Sequence, residues 1–358
     1  MRPHDGPKVP SGGTVRPCRR RTLRRHARRM SETGVPDEVV TACLRAAAAA
    51  PSVHNTQPWL FRVGVDAVDV LVDRSRRLAV LDPDGREMLV SIGAAVFNLR
   101  VAFGAAGRRT SVRRMPDDAD PDLAARVTIG AAGRPARAAQ ALAAAVPGRH
   151  TNRRPFADRR VPFVTMEELR GAAAMEGASL VEIGPELRDG VLALTRTAET
   201  RLRSDPAYRA ELAAWTTASS VGRDDGLPRH VIGPRGRDGA LPLRDLGTGL
   251  GPSAGAVEFE SDPILLLLFT PGDTPEHWIR AGEALERVWL TATVRGLAVT
   301  PMSQLTEISA MRDLLTDSAA HSVPQTVLRI GYPLWPAMAS PRRPLAELVV
   351  TNPPPASR

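Results

Sequence analysis

Apolar positions along the chain fall into two periods. Leu89, Ile92, Val96, Leu99 and Phe103 recur at helical spacing within residues 87–106, and Gly107 follows as a stop. Residues 276–295 repeat the pattern and again run into a glycine, Gly296. Short extended runs predict strands at 60–65, 68–72, 111–113, 126–129, 180–183, 264–269 and 326–330, with a last extended piece at 345–350. Further helices are expected at 36–50, where Pro36 precedes Asp37 and Glu38, and at 135–145, 185–203 and 205–220. Thr165 and Glu168 form a capping-box pattern that would open one more helix. Residues 221–255 hold many Gly, Pro and Arg and little regular pattern, which in a compact protein marks a functional or disordered stretch.

The two long helices superpose in sequence. Gly93 falls on Gly282 (282 − 93 = 189), and the same offset carries Ala95 onto Ala284, Val96 onto Leu285, Leu99 onto Val288 and Gly107 onto Gly296. Helix, strand, long helix, glycine and strand follow in each half, so an α+β fold made of two similar halves is expected. The break at Pro147-Gly148 sets the boundary. The expected organisation is a basic extension at 1–30, a first half at 31–147 and a second half at 148–358 carrying an insertion at about 221–255.

Composition changes this picture in one respect. The formal charge of +9 suggests a polyanion partner until it is located. Residues 1–29 hold ten basic groups and one acid, Asp5, so this segment accounts for the whole excess. The remainder is neutral and gives no reason to expect nucleic-acid binding. The basic segment has no apolar run and reads as a disordered extension, not a secretory signal. No segment is read as a membrane span. Cys18 and Cys43 suggest neither a disulfide framework nor a zinc site, and a reducing cytoplasm fits them.

Candidate chemistry begins at residues 50–59, Ala-Pro-Ser-Val-His-Asn-Thr-Gln-Pro-Trp. Pro51 and Pro58 stiffen the backbone, and Ser52, His54, Asn55, Thr56 and Gln57 offer donors and acceptors. A rigid polar loop between regular elements suits ligand contact, although on composition alone a well-made turn is the commoner explanation. Arg149, Thr151 and Arg153 alternate in an extended segment, which would aim two guanidinium groups and a hydroxyl one way, a set suited to a phosphate dianion. Arg342 and Arg343 form a second pair between two prolines. The G-x-S-x-G run at 251–255 lacks the strand-to-helix setting of a hydrolase nucleophile, and the glycine run at 247–251 lacks that of a dinucleotide site.

Taken together these residues carry a resemblance. Pro51-Ser52 with Asn55-Thr56-Gln57-Pro58-Trp59 resembles the flavin-contacting loop of the FMN-dependent nitroreductase family. Residues 149–153 resemble its phosphate-binding segment, Gly296-Leu297 with Pro301-Met302 its segment beside the flavin ring, and Ile330-Gly331-Tyr332-Pro333 with Arg342-Arg343 its C-terminal phosphate-binding end. The loop precedes the phosphate segment here, an order similar to the Acg-like branch, where one duplicated chain imitates the usual dimer. The resemblance implies a nitroreductase-like fold arranged as an intramolecular pseudo-dimer, with one FMN site per chain. It further implies that Arg149, Thr151, Arg153, Arg342 and Arg343 hold the FMN phosphate. Ser52, His54, Asn55 and Gln57 would line the flavin, and Pro301, Met302 and Ser303 would offer backbone amides to the ring. The implied activity is transfer of hydride from NAD(P)H to a nitroaromatic or quinone. The alternative is an FMN-sequestering or stress-related flavoprotein without turnover. A small aromatic acceptor is the expected partner, and the chain would be a monomer or a homodimer. The irregular stretch at 221–255 would fold over the flavin as a lid.

Overall fold

The computed structural model describes residues 35–217, 222–237, 241–247, 250, 256–317 and 322–350. The basic extension, Cys18, the 251–255 run and most of the 247–251 run lie outside the described residues. The first half holds helix α1 (Asp37–Ala48), strands β1 (Trp59–Val63) and β2 (Ala67–Val72), the long helix α2 (Arg86–Ala105), strands β3 (Arg108–Arg114) and β4 (Leu123–Ala132), and helix α3 (Arg137–Ala145). The second half holds α4 (Phe163–Ala174), β5 (Ser179–Glu182), α5 (Pro185–Ser204), α6 (Pro206–Trp215), β6 (Ile264–Thr270), α7 (Pro275–Val294), β7 (Ala298–Met302) and β8 (Val323–Gly331). A last short strand, β9 (Val349–Val350), belongs to the first half's sheet.

The two sheets share one connectivity. The first runs β9-β1-β2-β4-β3 and the second β5-β6-β8-β7. With β9 set aside, each of these sheets orders its strands first, second, fourth, third with every neighbouring pair antiparallel, and a separate two-stranded parallel sheet joins Thr216–Thr217 to Leu227–Pro228. Each sheet buries one face on its own helices. Trp59, Phe61, Val70, Leu99 and Phe103 lie in the first core, and Leu169, Leu268, Val288, Trp289 and Val299 in the second. β9 pairs in parallel with β1 through Phe61↔Val349, so the end of the second half returns to complete the first sheet.

The halves meet where α2 crosses α7. At the crossing Gly93 and Gly282 face each other. A methyl built on Gly93 would overlap the carbonyl oxygen of Ile279 and lie 3.0 Å from the Gly282 Cα. A methyl on Gly282 would overlap the carbonyl oxygen of Val90. The contact is reciprocal, because Val90 and Ile279 are separated by the same 279 − 90 = 189 positions. Each glycine thus lets its helix approach the backbone of the other at positions the sequence offset makes equivalent.

Several local expectations need correction. The Thr165/Glu168 capping box does not form: α4 starts at Phe163 after Pro162, no side chain caps it, and Thr165 is buried within the helix. Thr165 lies inside the helix, its own amide donating to Pro162 O at 2.9 Å, so it is not placed to cap the start. Helix α6 stops at Trp215, where Thr216-Thr217 turn extended. Residues 345–350 begin with a helical turn, Leu345–Leu348, before the short strand. Finally, α2 is long and apolar enough to cross a membrane by length and composition, although most of it is buried inside the protein.

Candidate active site

The loop after α1 has an unusual backbone. His54, Asn55 and Gln57 all take positive φ, at 47°, 56° and 51°. Asparagine tolerates this region, but histidine and glutamine enter it at a cost. Local bonds hold the shape: Ser52 Oγ accepts from the Gln57 amide at 2.9 Å, and Ser91 Oγ on α2 accepts from the Val53 amide at 3.1 Å. Strained backbone pinned this way is characteristic of ligand sites.

Beside the loop lies a cavity of about 110 Å³. Ser52 and His54 reach it from the loop, Ser91 and Ala94 from α2, Leu285 and Trp289 from α7, Thr151 and Arg153 from the segment after α3, and Pro301 and Ser303 from the end of β7. Arg244 and Leu246, from the long irregular segment, complete the wall. Six of the twelve candidate residues therefore meet here: Ser52, His54, Thr151, Arg153, Pro301 and Ser303. Met302 does not line it. Side chains alternate along β7, and Met302 turns into the apolar cluster with Leu265, Leu267 and Val327.

Asn55 and Gln57 serve the loop in a different way. Asn55 Nδ2 donates to Gly226 O at 3.0 Å and Pro341 O at 3.1 Å, and its Oδ1 accepts from Arg342 at 2.9 Å. Gln57 Nε2 donates to Asp224 O at 2.9 Å, while Gln57 Oε1 accepts from the Arg343 amide at 2.9 Å. The two amides thus clasp the irregular segment and the C-terminal arm to the loop.

The five phosphate candidates divide into separate places. Arg149 and Arg342 converge on the end of α1, each donating to Ala49 O, at 3.0 Å and 3.1 Å. Arg149 also stacks over Trp289 at 4.7 Å and faces Glu286 at 3.2 Å. Arg343 turns away to Asp73 at 3.2 Å. Thr151 bridges to Val299 beside the cavity, and Arg153 donates to Val231 O at 3.0 Å.

Charge in this region is under-compensated. Burial, aided by repulsion from Arg149, pulls the Arg342 guanidinium down to about 9. The facing carboxyl of Glu286 is pushed by burial up to about 7 despite Arg149. Burial and the nearby Arg244 pull Arg153 down to about 10. Arg244 itself is answered by Glu307 at 2.6 Å and by Tyr208 Oη at 2.9 Å. A guanidinium does not shed its proton in a protein, so these directions describe buried cations that lack an anion.

His54 is buried, and neither ring nitrogen has a hydrogen-bond partner among the described residues. Burial, then Arg244 and Arg153, hold its pKa well below the ordinary value. The folded state therefore keeps His54 neutral. Its contribution is present above the unfolded pKa of about 6.5 and is lost as pH falls below it. Relative to His54→Asn, which tolerates the positive φ, the wild type is expected to lose about 1.4 kcal/mol per pH unit on acidification below that point. Urea unfolding of both proteins between pH 7 and 5 measures this; parallel curves would refute it.

Sequence reasoning missed Arg244, Leu246, Glu87, Ser91 and Trp289 in this wall. Glu87, Ser91 and Ala94 share one helical face, a signal that pointed only to core. Nothing about Arg244 distinguished it beyond its place in the irregular stretch.

Residues 22–79 match the family model described as Nitroreductase family, and the match begins inside the segment read as an extension. A Mycobacterium tuberculosis protein provisionally named NAD(P)H nitroreductase Rv3131 is 34% identical over 88% of this chain and 93% of its own. The chain belongs to the nitroreductase family. A second protein of that organism, provisionally named NAD(P)H nitroreductase acg, is 30% identical over 89% of this chain and 97% of its own, so the resemblance to the Acg-like branch holds. Among solved structures, the FMN-dependent nitroreductase NfnB of Mycobacterium smegmatis in complex with NADPH is similar, with 18% identity, 58% of this chain and 96% of that chain covered, and a TM-score of 0.35. A nitroreductase from Desulfovibrio desulfuricans in complex with FMN matches with 15% identity, 60% and 98% coverage, and a TM-score of 0.34.

Proposed function

We propose that the chain is an FMN-dependent oxidoreductase that passes hydride from NAD(P)H to a nitroaromatic or quinone acceptor. One observation carries the reading: a strained polar loop of the first half, Thr151 and Arg153, and Pro301 and Ser303 all line one cavity. The residues fit the cofactor. Arg149 and Arg342 supply buried positive charge facing a single carboxylate, as a phosphate requires. Val90, Ala94, Leu285 and Trp289 supply an apolar wall for a flat ring, and Ser52, Thr151 and Ser303 supply polar groups at its edge. Bound flavin would supply the two-electron chemistry, and the chain would position it and exclude water.

The reading includes an internal duplication, with halves at about 31–147 and 148–358. It draws on the shared strand order and on the reciprocal glycine contact. One chain then supplies both sides of the site, and a monomer is sufficient. At about 110 Å³ the cavity is smaller than the ~300–1,000 Å³ of ordinary ligand pockets. The roof that carries Arg244 and Leu246 therefore shifts to admit a flavin and acts as a lid.

The test is optical. Purified protein given FMN is expected to retain the yellow chromophore through gel filtration and to gain thermal stability; a colourless, unshifted protein would refute the reading. A second reading, FMN sequestration without turnover, is favoured by the roof being tied down through Arg244, Tyr208 and Glu307. Anaerobic mixing with NADPH or NADH separates the two. Rapid bleaching of the flavin supports the reductase, and a flavin reduced only by dithionite supports sequestration.

A further inference from the structure

Strand β8 is buried from Pro324 to Gly331, and Arg329 is the one charged residue within it. Its side chain is 0% exposed, and that of its partner Glu260 is 4% exposed. The pairing is bidentate: Arg329 Nη2 donates to one Glu260 oxygen at 2.6 Å and Nε donates to the other. Arg329 also donates to Thr300 Oγ1 on β7 and to Arg154 O, each at 3.2 Å. The guanidinium lies 3.7 Å from the centre of the Phe156 ring. Burying such a pair loses much of the hydration that its attraction returns, and apolar residues of similar volume stabilise a core as well or better. Stability of the sheet therefore does not account for an arginine at this position. What the arginine touches does.

Its contacts converge on residues 152–156. Arg154 O accepts from both terminal nitrogens of Arg329. Thr300 Oγ1, which accepts from Arg329, donates in turn to Asn152 O at 2.5 Å. Glu260 accepts from the Phe156 amide at 3.0 Å. Backbone groups of every second residue, 152, 154 and 156, are thus held by side chains. Buried backbone groups need such partners. Among the described residues, β-bridges reach the segment only at Thr151↔Val299 and Phe156↔Pro333, so no strand supplies the bonds between. Thr151 and Arg153, which reach the cavity, alternate with the held residues. Arg329 itself does not line the cavity, so it acts on a ligand through them.

We propose that Arg329, joined by Glu260 and Thr300, is a positioning residue: it stands in for a neighbouring strand along residues 152–156 and so fixes Thr151 and Arg153 at the cavity wall. That the cavity takes FMN rests on the function proposed above. A planar guanidinium presents its donors in fixed directions, which a lysine ammonium does not. Here the fork ties one carboxylate, one hydroxyl and one carbonyl from three separate stretches of chain. A misplacement of about 1 Å at a binding wall is enough to change activity about a hundredfold.

Arg329→Met combined with Glu260→Leu tests this, because removing both charges leaves neither buried and unpaired. In the ligand-free full chain, amide hydrogen exchange at residues 152–156 is expected to speed up about tenfold or more, while β6 and α7 exchange as in the wild type. In titration with FMN followed by absorbance, the dissociation constant should rise about tenfold. Leu266→Ala is the control: a void in the same sheet lowers the melting temperature but should leave FMN affinity within about twofold. An equal loss of affinity in the control would mark a general loosening and overturn the proposal. Arg329→Lys keeps the charge opposite Glu260 without the fork and should also bind FMN more weakly; wild-type affinity would make the residue a counter-charge only and overturn it. Unchanged exchange at 152–156 in the double variant overturns it too, as does faster exchange with unchanged affinity. A wild type that takes no FMN would overturn the proposed function instead, and exchange alone would then decide whether Arg329 holds the segment. Should the double variant fail to fold, Thr300→Val deletes only the hydroxyl between Arg329 and Asn152 O. It should show both changes at about threefold, and their absence would count against the proposal.

Discussion

Gly282→Ala is expected to destabilise the chain by about 3 kcal/mol or more, at or beyond the upper end of overpacked cores. The added methyl meets a backbone carbonyl, that of Val90, and has no flexible side chain to displace. Relief requires α2 and α7 to separate, and these helices carry most of the contact between halves. Gly93→Ala meets Ile279 in the same way and should behave alike. Because both variants force apart one crossing, the double variant should cost less than the sum of the singles. Gly171→Ala is the control. Gly171 lies in α4 with open space around it, so alanine there should be neutral or stabilising by up to ~1 kcal/mol. Urea denaturation of the four variants beside the wild type decides the matter. If Gly282→Ala unfolds with the wild type, the close helix crossing is wrong.

Asn55→Ala should release bound flavin and lower stability by about 3 kcal/mol. Three hydrogen bonds, to Gly226, Pro341 and Arg342, are worth about 1 kcal/mol each. Alanine at φ 56° adds roughly 1 kcal/mol of backbone strain, partly offset by local relaxation. Asn55→Gly separates the contributions, since glycine accepts the backbone and keeps only the loss of the side chain. Both variants should free the Arg342 guanidinium and the irregular segment, and both should speed flavin dissociation. Combining Asn55→Ala with Gln57→Ala should remove the clasp entirely. A double variant that keeps full flavin occupancy would return the loop to being a turn.

The glycines explain how much of the architecture was legible. Gly93 and Gly282 stand at the same point of two similar apolar stripes, and the offset between them could be read directly. Strand positions followed from short apolar runs: the central strands of the second sheet, 264–270 and 323–331, are buried on both faces, and the first of them reads as a continuous apolar stretch. The loop at 50–59 was legible as a rigid polar element, but not the direction of its side chains. Asn55 and Gln57 looked like ligand contacts because short amides suit ligands; they suit carbonyl oxygens of distant segments equally, and Gly226 and Pro341 are more than 150 residues away. The alternation of Arg149 and Arg153 assumed a regular strand. Only Thr151 makes a β-bridge, so each arginine follows its nearest acceptor, Ala49 in one case and Val231 in the other. Arg244 was invisible because irregular segments have no period to mark which residue points inward. The capping box failed because the helix starts at Phe163, which leaves Thr165 inside it.

The parallel pairing of β9 with β1 places a timing constraint on biosynthesis. Residues 59–63 leave the ribosome early, yet the edge they present is covered only by Val349 and Val350. For nearly the whole of translation the nascent first sheet therefore exposes one open edge, a template for mispairing with neighbouring chains. Nascent chains stalled just short of residue 345 should be more sensitive to protease at β1, and more dependent on holdase chaperones, than the same chain released from the ribosome.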